Sequence, residues 1–262
     1  MNTVSKRLNN KVAIVTGAGS SGPGIGNGKA TAILFAREGA RVLLVDLHLD
    51  NVLETKKIIE TEGNSSTFID ADVTTSNGCK KVVEKCLKEY GEIDILHNNV
   101  GIEIVGKLTD LSEEDWDKEL NVSLKGSYFM IQFFGEDMFK RKKGSIINVS
   151  SNAAEECDAG RTGYASSKSA LIAFTKVLSK ELGNFNIRVN AVAPGLTNTK
   201  MMGKDVSKKV IEEAIKKVAL KRPAEPEEIS NVIMFFLHYF SEKKHFLFHY
   251  IKTTRINLRR RS

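Results

Sequence analysis

The chain has 262 residues, 41% hydrophobic and 27% charged, with 4 Pro and 3 Cys. That composition suits one globular domain with a large core, and with no run of about 18 apolar residues the sequence offers no membrane span. The formal net charge is +7, but residues 241–262 hold seven basic residues against Glu242 alone, +6 of that total, so the preceding 240 residues are close to neutral and a nucleic-acid partner is not expected.

Met1 to Asn10 lack the apolar stretch of a secretory signal, and Cys79, Cys86 and Cys157 form no Cys-x-x-Cys pair, so a reduced, cytoplasmic setting is expected. In chain order, short runs rich in Val, Ile and Leu then alternate with longer amphipathic stretches. Strands are predicted at Lys11–Thr16, Arg41–Asp46, Ser66–Ile69, Ile93–His97, Gly144–Ser150 and Ile187–Val192. Most are continuous apolar runs, as parallel strands covered on both faces require. Helices are predicted at 24–38, 50–62, 76–90, 112–139, 162–182, 203–218 and 225–240. Asp50 is placed to cap the second helix, Ser112 with Asp115 approximates a capping box, and Pro226 suits a first turn, where its missing N–H costs nothing. This alternation, with right-handed crossovers, predicts a single α/β doubly wound Rossmann-type domain with a mostly parallel sheet over residues 1–240. Residues 241–262 form a basic tail of different composition.

The first predicted strand runs directly into Thr16-Gly17-Ala18-Gly19-Ser20-Ser21-Gly22-Pro23-Gly24-Ile25-Gly26-Asn27-Gly28. Glycines there let the backbone turn tightly and approach a pyrophosphate, whose charge the next helix N-terminus stabilises. The Gly-x-Gly-x-x-Gly spacing at 17, 19 and 22 is weak alone and gains its meaning from its place between strand and helix. Asp46 ends the second strand, where a carboxylate accepts hydrogen bonds from the adenosine ribose diol and repels a 2′-phosphate. Neither Leu47 nor Pro23 offers that phosphate a cation, so NAD is expected rather than NADP.

These pieces, with Asp72-Val73, Asn98-Asn99-Val100-Gly101, Asn121, Ser151, Tyr164-Ala165-Ser166-Ser167-Lys168 and Pro194-Gly195, resemble the short-chain dehydrogenase/reductase family from residue 10 to about 237. The resemblance implies an NAD(H)-dependent oxidoreductase that passes hydride between the nicotinamide and a small secondary alcohol or ketone. Under it, Gly17, Ser20, Gly24, Ile25 and Gly26 would meet the pyrophosphate, and Asp72 and Val73 would flank the adenine. Asn99 and Gly101 would line the cofactor cleft, Pro194 and Gly195 would join it, and Thr197 and Thr199 would touch its nicotinamide and phosphate side. Asn121 would bind a water of the proton relay. Ser151, thirteen residues before Tyr164, suits a carbonyl-orienting role better than Ser150, which points the other way along its strand.

The residues support that chemistry directly. A carbonyl receiving hydride develops alkoxide character and needs a proton donor, while a free tyrosine, with a pKa of about 10, yields little anion for the reverse reaction. A nearby ammonium stabilises the phenolate. Tyr164 and Lys168 are four apart on a predicted helix and so share a face, and Lys168 would also hold the nicotinamide ribose. No metal-ligand spacing stands out, and no metal is expected.

The chain departs from the pattern at two places. The glycine loop is several residues longer than usual: counting back from Gly39 and Asp46 puts Gly26 and Gly28 at the helix entry, whereas the Gly-Ile-Gly identity puts Gly24 and Gly26 there. After the 225–240 helix, no glycine follows Gly203, and the segment from His238 to Ser262 lacks the usual final strand, which the sequence predicts to be missing. That strand commonly supports subunit contacts, so a homodimer is expected rather than a tetramer. Alternatives are a 3-oxoacyl thioester reductase, which would prefer NADPH, a cofactor-binding protein without turnover, and a tail that binds nucleic acid or acidic membrane through Phe246, Phe248, Tyr250 and its basic neighbours.

Overall fold

Alternate residues of the first strand, β1 (Val12–Thr16), enter two different cores: Ala13 and Val15 one, Val12 and Ile14 the other. A strand buried on both faces needs apolar residues at every position, which is why the run is continuous. The structure, a computed structural model, describes residues 6–20, 24–200, 208–238 and 250–252.

The chain continues through α1 (Asn27–Arg37), β2 (Arg41–Asp46), α2 (Leu49–Thr61), β3 (Ser66–Asp70), α3 (Ser76–Tyr90) and β4 (Ile95–Asn98). Then follow α4 (Glu113–Leu120), a π-helical turn (Asn121–Lys125), α5 (Gly126–Arg141), β5 (Gly144–Val149), the short α6 (Ala153–Glu156) and α7 (Thr162–Glu181). The last elements are β6 (Ile187–Ala193), α8 (Lys208–Lys217), α9 (Pro226–His238) and β7 (Tyr250–Lys252). The strands form one parallel sheet in the order β3-β2-β1-β4-β5-β6-β7, the doubly wound arrangement that the sequence predicts. Ile33 and Phe35 of α1, Val52 and Ile59 of α2, and Ile233 and Phe236 of α9 cover one face. Cys79 and Val82 of α3, Met130 and Phe134 of α5, and Leu178 of α7 cover the other. No helix among the described residues is long and apolar enough to cross a membrane.

Several local expectations are corrected. Asp50 lies inside the first turn of α2 rather than at its cap, because the helix begins at Leu49 with His48 before it, and Asp50 is left to favour the positive end of the helix dipole. Ser112 does cap α4, its Oγ accepting the Asp115 N–H at 3.1 Å, and Pro226 opens α9. The single helix expected at 112–139 is interrupted by the π turn. Residues 203–207 and 239–240, predicted helical, and Ser21, Gly22 and Pro23 lie outside the described residues.

The final strand is not missing. Tyr250–Lys252 pairs in parallel with Ala191–Ala193, so β6 is partly covered where an open edge was expected. Tyr and Ile favour strands, and an unpaired edge of N–H and C=O groups is a template for such a segment. The half-buried Arg188 of β6 donates to the Phe236 carbonyl at 2.8 Å and the Leu237 carbonyl at 3.3 Å, tying the end of α9 to the sheet.

Candidate functional site

The strand order reverses between β1 and β4, and the loops leaving the carboxyl ends of the strands diverge there to leave a crevice. One cleft runs along this line from the glycine loop to α8.

Its first half is made of backbone. Gly26 precedes the first residue of α1, and the first N–H groups of a helix have no partner within it. The Gly26 N–H itself donates to Ser20 Oγ at 2.9 Å, which closes the long loop back on its start. A Cβ on Gly28 would stand 2.0 Å from the Gly17 carbonyl oxygen and 2.5 Å from Asn99 Nδ2, so only glycine lets α1 approach β1 here. The helix entry is therefore Gly26 and Gly28. Gly24, at φ 106°, and the partly exposed Ile25 lie on the approach to it and line the cleft mouth. Asn27 and Gly28, absent from the expected cofactor set, belong to this cradle; the spacing back from Gly39 is the signal that locates them.

The other expected cofactor positions gather around the cradle. Both carboxylate oxygens of Asp46 accept backbone N–H groups, from Gly19 at 2.9 Å and His48 at 3.1 Å. A Cβ on Gly19 would meet Asn51 at 2.5 Å and Asp46 at 2.9 Å, so the close approach that fixes the carboxylate also requires glycine. Thr16 Oγ1 accepts the Asn99 N–H at 3.0 Å, joining the ends of β1 and β4. Asp72 is held by Thr74, and Val73 packs into the core while bordering the cleft. Pro194, Gly195, Thr197 and Thr199 form the opposite wall, with Thr197 Oγ1 donating to the Gly195 carbonyl at 3.0 Å.

The second half carries side chains with proton chemistry. Both Ser150 and Ser151 border the cleft, but the Ser150 hydroxyl is committed to the Lys168 carbonyl, to which it donates at 2.8 Å. Tyr164 and Lys168 lie on one face of α7 as expected, the Lys168 Nζ 5.8 Å from the centre of the tyrosine ring. Lys168 is buried, donates to the Val149 carbonyl at 2.9 Å, and burial pushes its ammonium down to about 8. Burial raises the Tyr164 phenol; the hydrogen bond to Ser151 and the charge of Arg161 oppose that, while Glu103 and Glu119 add to it.

Gly101 makes room for the ammonium: a Cβ there would be 2.8 Å from Lys168 Nζ and 3.5 Å from Ser123 Oγ. Asn121 opens the π turn and is half-buried in the cleft wall, but the residue of that turn packed beneath Gly101 is Ser123, whose Oγ accepts the Ile102 N–H at 3.4 Å. Ser123 was not among the expected residues, and a π turn, common at functional sites, has no helix-period signature that would have revealed it. Glu119 was also missed. It is fully buried, accepts the Ile104 N–H at 2.8 Å, and abuts Gly163 at the start of α7; burial raises its carboxyl pKa.

A glycine cradle with helix N–H groups, a carboxylate at the end of β2 and a buried ammonium at the far end match the pyrophosphate, diol and second ribose of a dinucleotide. The residues present fit such a cofactor.

A family model described as short chain dehydrogenase matches residues 11–210. A 3-oxoacyl-(acyl-carrier-protein) reductase of Thermotoga maritima is 43% identical over 230 residues, covering 87% of this chain and 91% of that protein. An NAD-dependent glycerol dehydrogenase of Listeria innocua is 36% identical over 229 residues, 87% of each chain. The solved structure of an NAD+-bound xylitol dehydrogenase superposes with a TM-score of 0.85 at 26% identity, covering 95% of this chain and 99% of that one.

Proposed function

The chain belongs to the short-chain dehydrogenase family, and from that premise we propose an NAD(H)-dependent oxidoreductase acting on a secondary alcohol or ketone. The observation that carries the reading is the meeting of Ser151, Tyr164 and Lys168 beside Gly101, at the end of the cleft opposite the glycine cradle. The nicotinamide, when bound, supplies or accepts the hydride.

Each residue has a task in that reading. The backbone of Gly17, Ser20, Gly24, Ile25, Gly26 and the first turn of α1 at Asn27 and Gly28 holds the pyrophosphate, and Asp46 accepts from the ribose diol. Asp72 and Val73 flank the adenine, and Asn99, Gly101, Pro194, Gly195, Thr197 and Thr199 enclose the rest. Ser151 donates to the substrate oxygen and orients it. In the reducing direction the Tyr164 hydroxyl gives its proton to that oxygen as alkoxide character develops; in the oxidising direction the phenolate takes the proton back. The Lys168 ammonium favours the phenolate, and a water on Asn121 links this proton to solvent. NAD is preferred because Asp46 would repel a 2′-phosphate. A cytoplasmic homodimer completes the reading, with its size checked by light scattering.

The test is NADH formation from NAD+ across a panel of secondary alcohols, for wild type and Tyr164→Phe. Turnover that collapses in the variant supports the reading; equal turnover by both overturns it. A second reading, reduction of a 3-oxoacyl thioester, draws on the Thermotoga maritima relative. It requires faster oxidation of NADPH than of NADH with acetoacetyl thioester, which Asp46 disfavours.

A further inference from the structure

The cleft wall beside Tyr164 contains an ion pair that the proton chemistry does not use. Glu103 follows Gly101 by two residues; its side chain is 14% exposed, and its Oε1 lies 2.7 Å from Arg161 Nε. Arg161 stands one helical turn before Tyr164, at the cap of α7. The two loops are joined again by the Gly106 N–H, which donates to the Gly160 carbonyl at 3.0 Å. Both Glu103 and Arg161 line the cleft. Asp158 is 3.9 Å from Arg161 Nη1, beyond hydrogen-bonding distance, so the guanidinium keeps donors uncommitted among the described residues.

We infer that this pair selects the substrate, a neutral polyhydroxylated secondary alcohol or the matching ketone, by holding a hydroxyl next to the reacting carbon between Glu103 and Arg161. The inference rests on the oxidoreductase reading above. A hydroxyl both donates and accepts, which are the two interactions that a carboxylate and a guanidinium offer side by side. An apolar alcohol closing on the pair would strip water from two charges and return no hydrogen bond. An anionic substrate would meet Glu103, Asp158 and, at the end of α6, Glu156, against Arg161 on these loops and the Lys168 ammonium of α7. A latch with no part in recognition would affect all substrates alike, so relative rates separate the two roles.

The experiment measures kcat/KM with NAD+ for sorbitol, butane-2,3-diol, butan-2-ol and 3-hydroxybutyrate, in wild type, Glu103→Gln and Arg161→Gln. NADH binding by fluorescence reports whether each variant is folded. Wild type is expected to favour the better polyol over butan-2-ol by about 100-fold or more, since a site built to hydrogen-bond a hydroxyl rejects the analogue that lacks it. Each variant is expected to lower that ratio by about tenfold or more. Preference of wild type for butan-2-ol or 3-hydroxybutyrate, or an unchanged ratio in a variant that binds NADH, overturns the inference and leaves the oxidoreductase reading standing. If wild type binds NADH but oxidises none of the four nor any alcohol of the wider panel, the oxidoreductase reading falls and this inference with it.

Discussion

The two halves of the cleft are built by different means. The cofactor half is backbone brought to near-contact: Gly28 against the Gly17 carbonyl, Gly19 against Asp46 and Asn51. The substrate half is side chains from α7 and the loops beside it, joined by the Glu103–Arg161 pair and by Glu119 of α4 beneath the start of α7. At Gly19 and Gly28 the backbone cradle has no room for an added methyl group, whereas a wall of side chains changes its chemistry without changing its fold. Damage to the first half is therefore expected in binding and stability, and damage to the second in turnover and selectivity.

The largest expected effect isolates the second half. Tyr164→Phe removes the proposed proton donor and should lower kcat by about 100- to 10,000-fold, with a much smaller change in NADH affinity; steady-state rates and fluorescence titration measure the two. If affinity falls as far as turnover, the halves are not separable. Gly28→Ala isolates the first half. Its methyl group would have to displace backbone, so unfolding free energy should fall by about 1–3 kcal/mol in urea melts, with NADH binding weakened as well. Unchanged stability would mean that the contact is not as close as the cradle requires. Asp46→Ala removes the acceptor for the ribose diol and also releases the Gly19 and His48 N–H groups; hydrogen bonds to a charged acceptor contribute about 1.5–3 kcal/mol, so NADH should bind roughly tenfold more weakly or worse, and the discrimination against NADPH should shrink.

One effect, small near neutral pH and growing as the pH falls, belongs to neither half. His97 is fully buried in β4 against Phe35, and burial pushes its imidazole down to about 3 from an ordinary value of 6.5. The unfolded chain therefore takes up a proton that the folded chain refuses. His97 contributes stability that is complete above about pH 6.5 and is lost as the pH falls from there toward 3, at about 1.4 kcal/mol per pH unit. Urea melts at pH 7, 6 and 5 should show this decline, and His97→Phe should flatten it; an equal slope in the variant would assign the acid sensitivity to other groups.

What could be read from the sequence follows the same division. The parallel sheet was legible because β1, β2, β5 and β6 must be apolar on both faces, and the spacing of Asp46, Tyr164 and Lys168 from their strands and helices survives folding unchanged. Strand alternation favours Ser151 over Ser150, and the Ser150 hydroxyl is spent on the Lys168 carbonyl. The glycine register stayed open because two spacings competed, and only the clearance at Gly28 decides it. The π turn leaves no periodic trace, so Ser123 was hidden. Glu103 and Arg161 are 58 positions apart, and nothing local marks either as the other's partner. Strand β7 was missed because its three residues sit in a basic segment, and their pairing depends on an edge that only the assembled sheet presents.

The central claim is that this cleft holds NAD(H) through the glycine cradle and Asp46. It is tested most directly by fluorescence titration of wild type with NADH and NADPH, repeated on Asp46→Ala. Saturable NADH binding, weaker NADPH binding and loss of that preference in the variant are expected. No binding of either nucleotide, or tighter binding of NADPH by wild type, would contradict it.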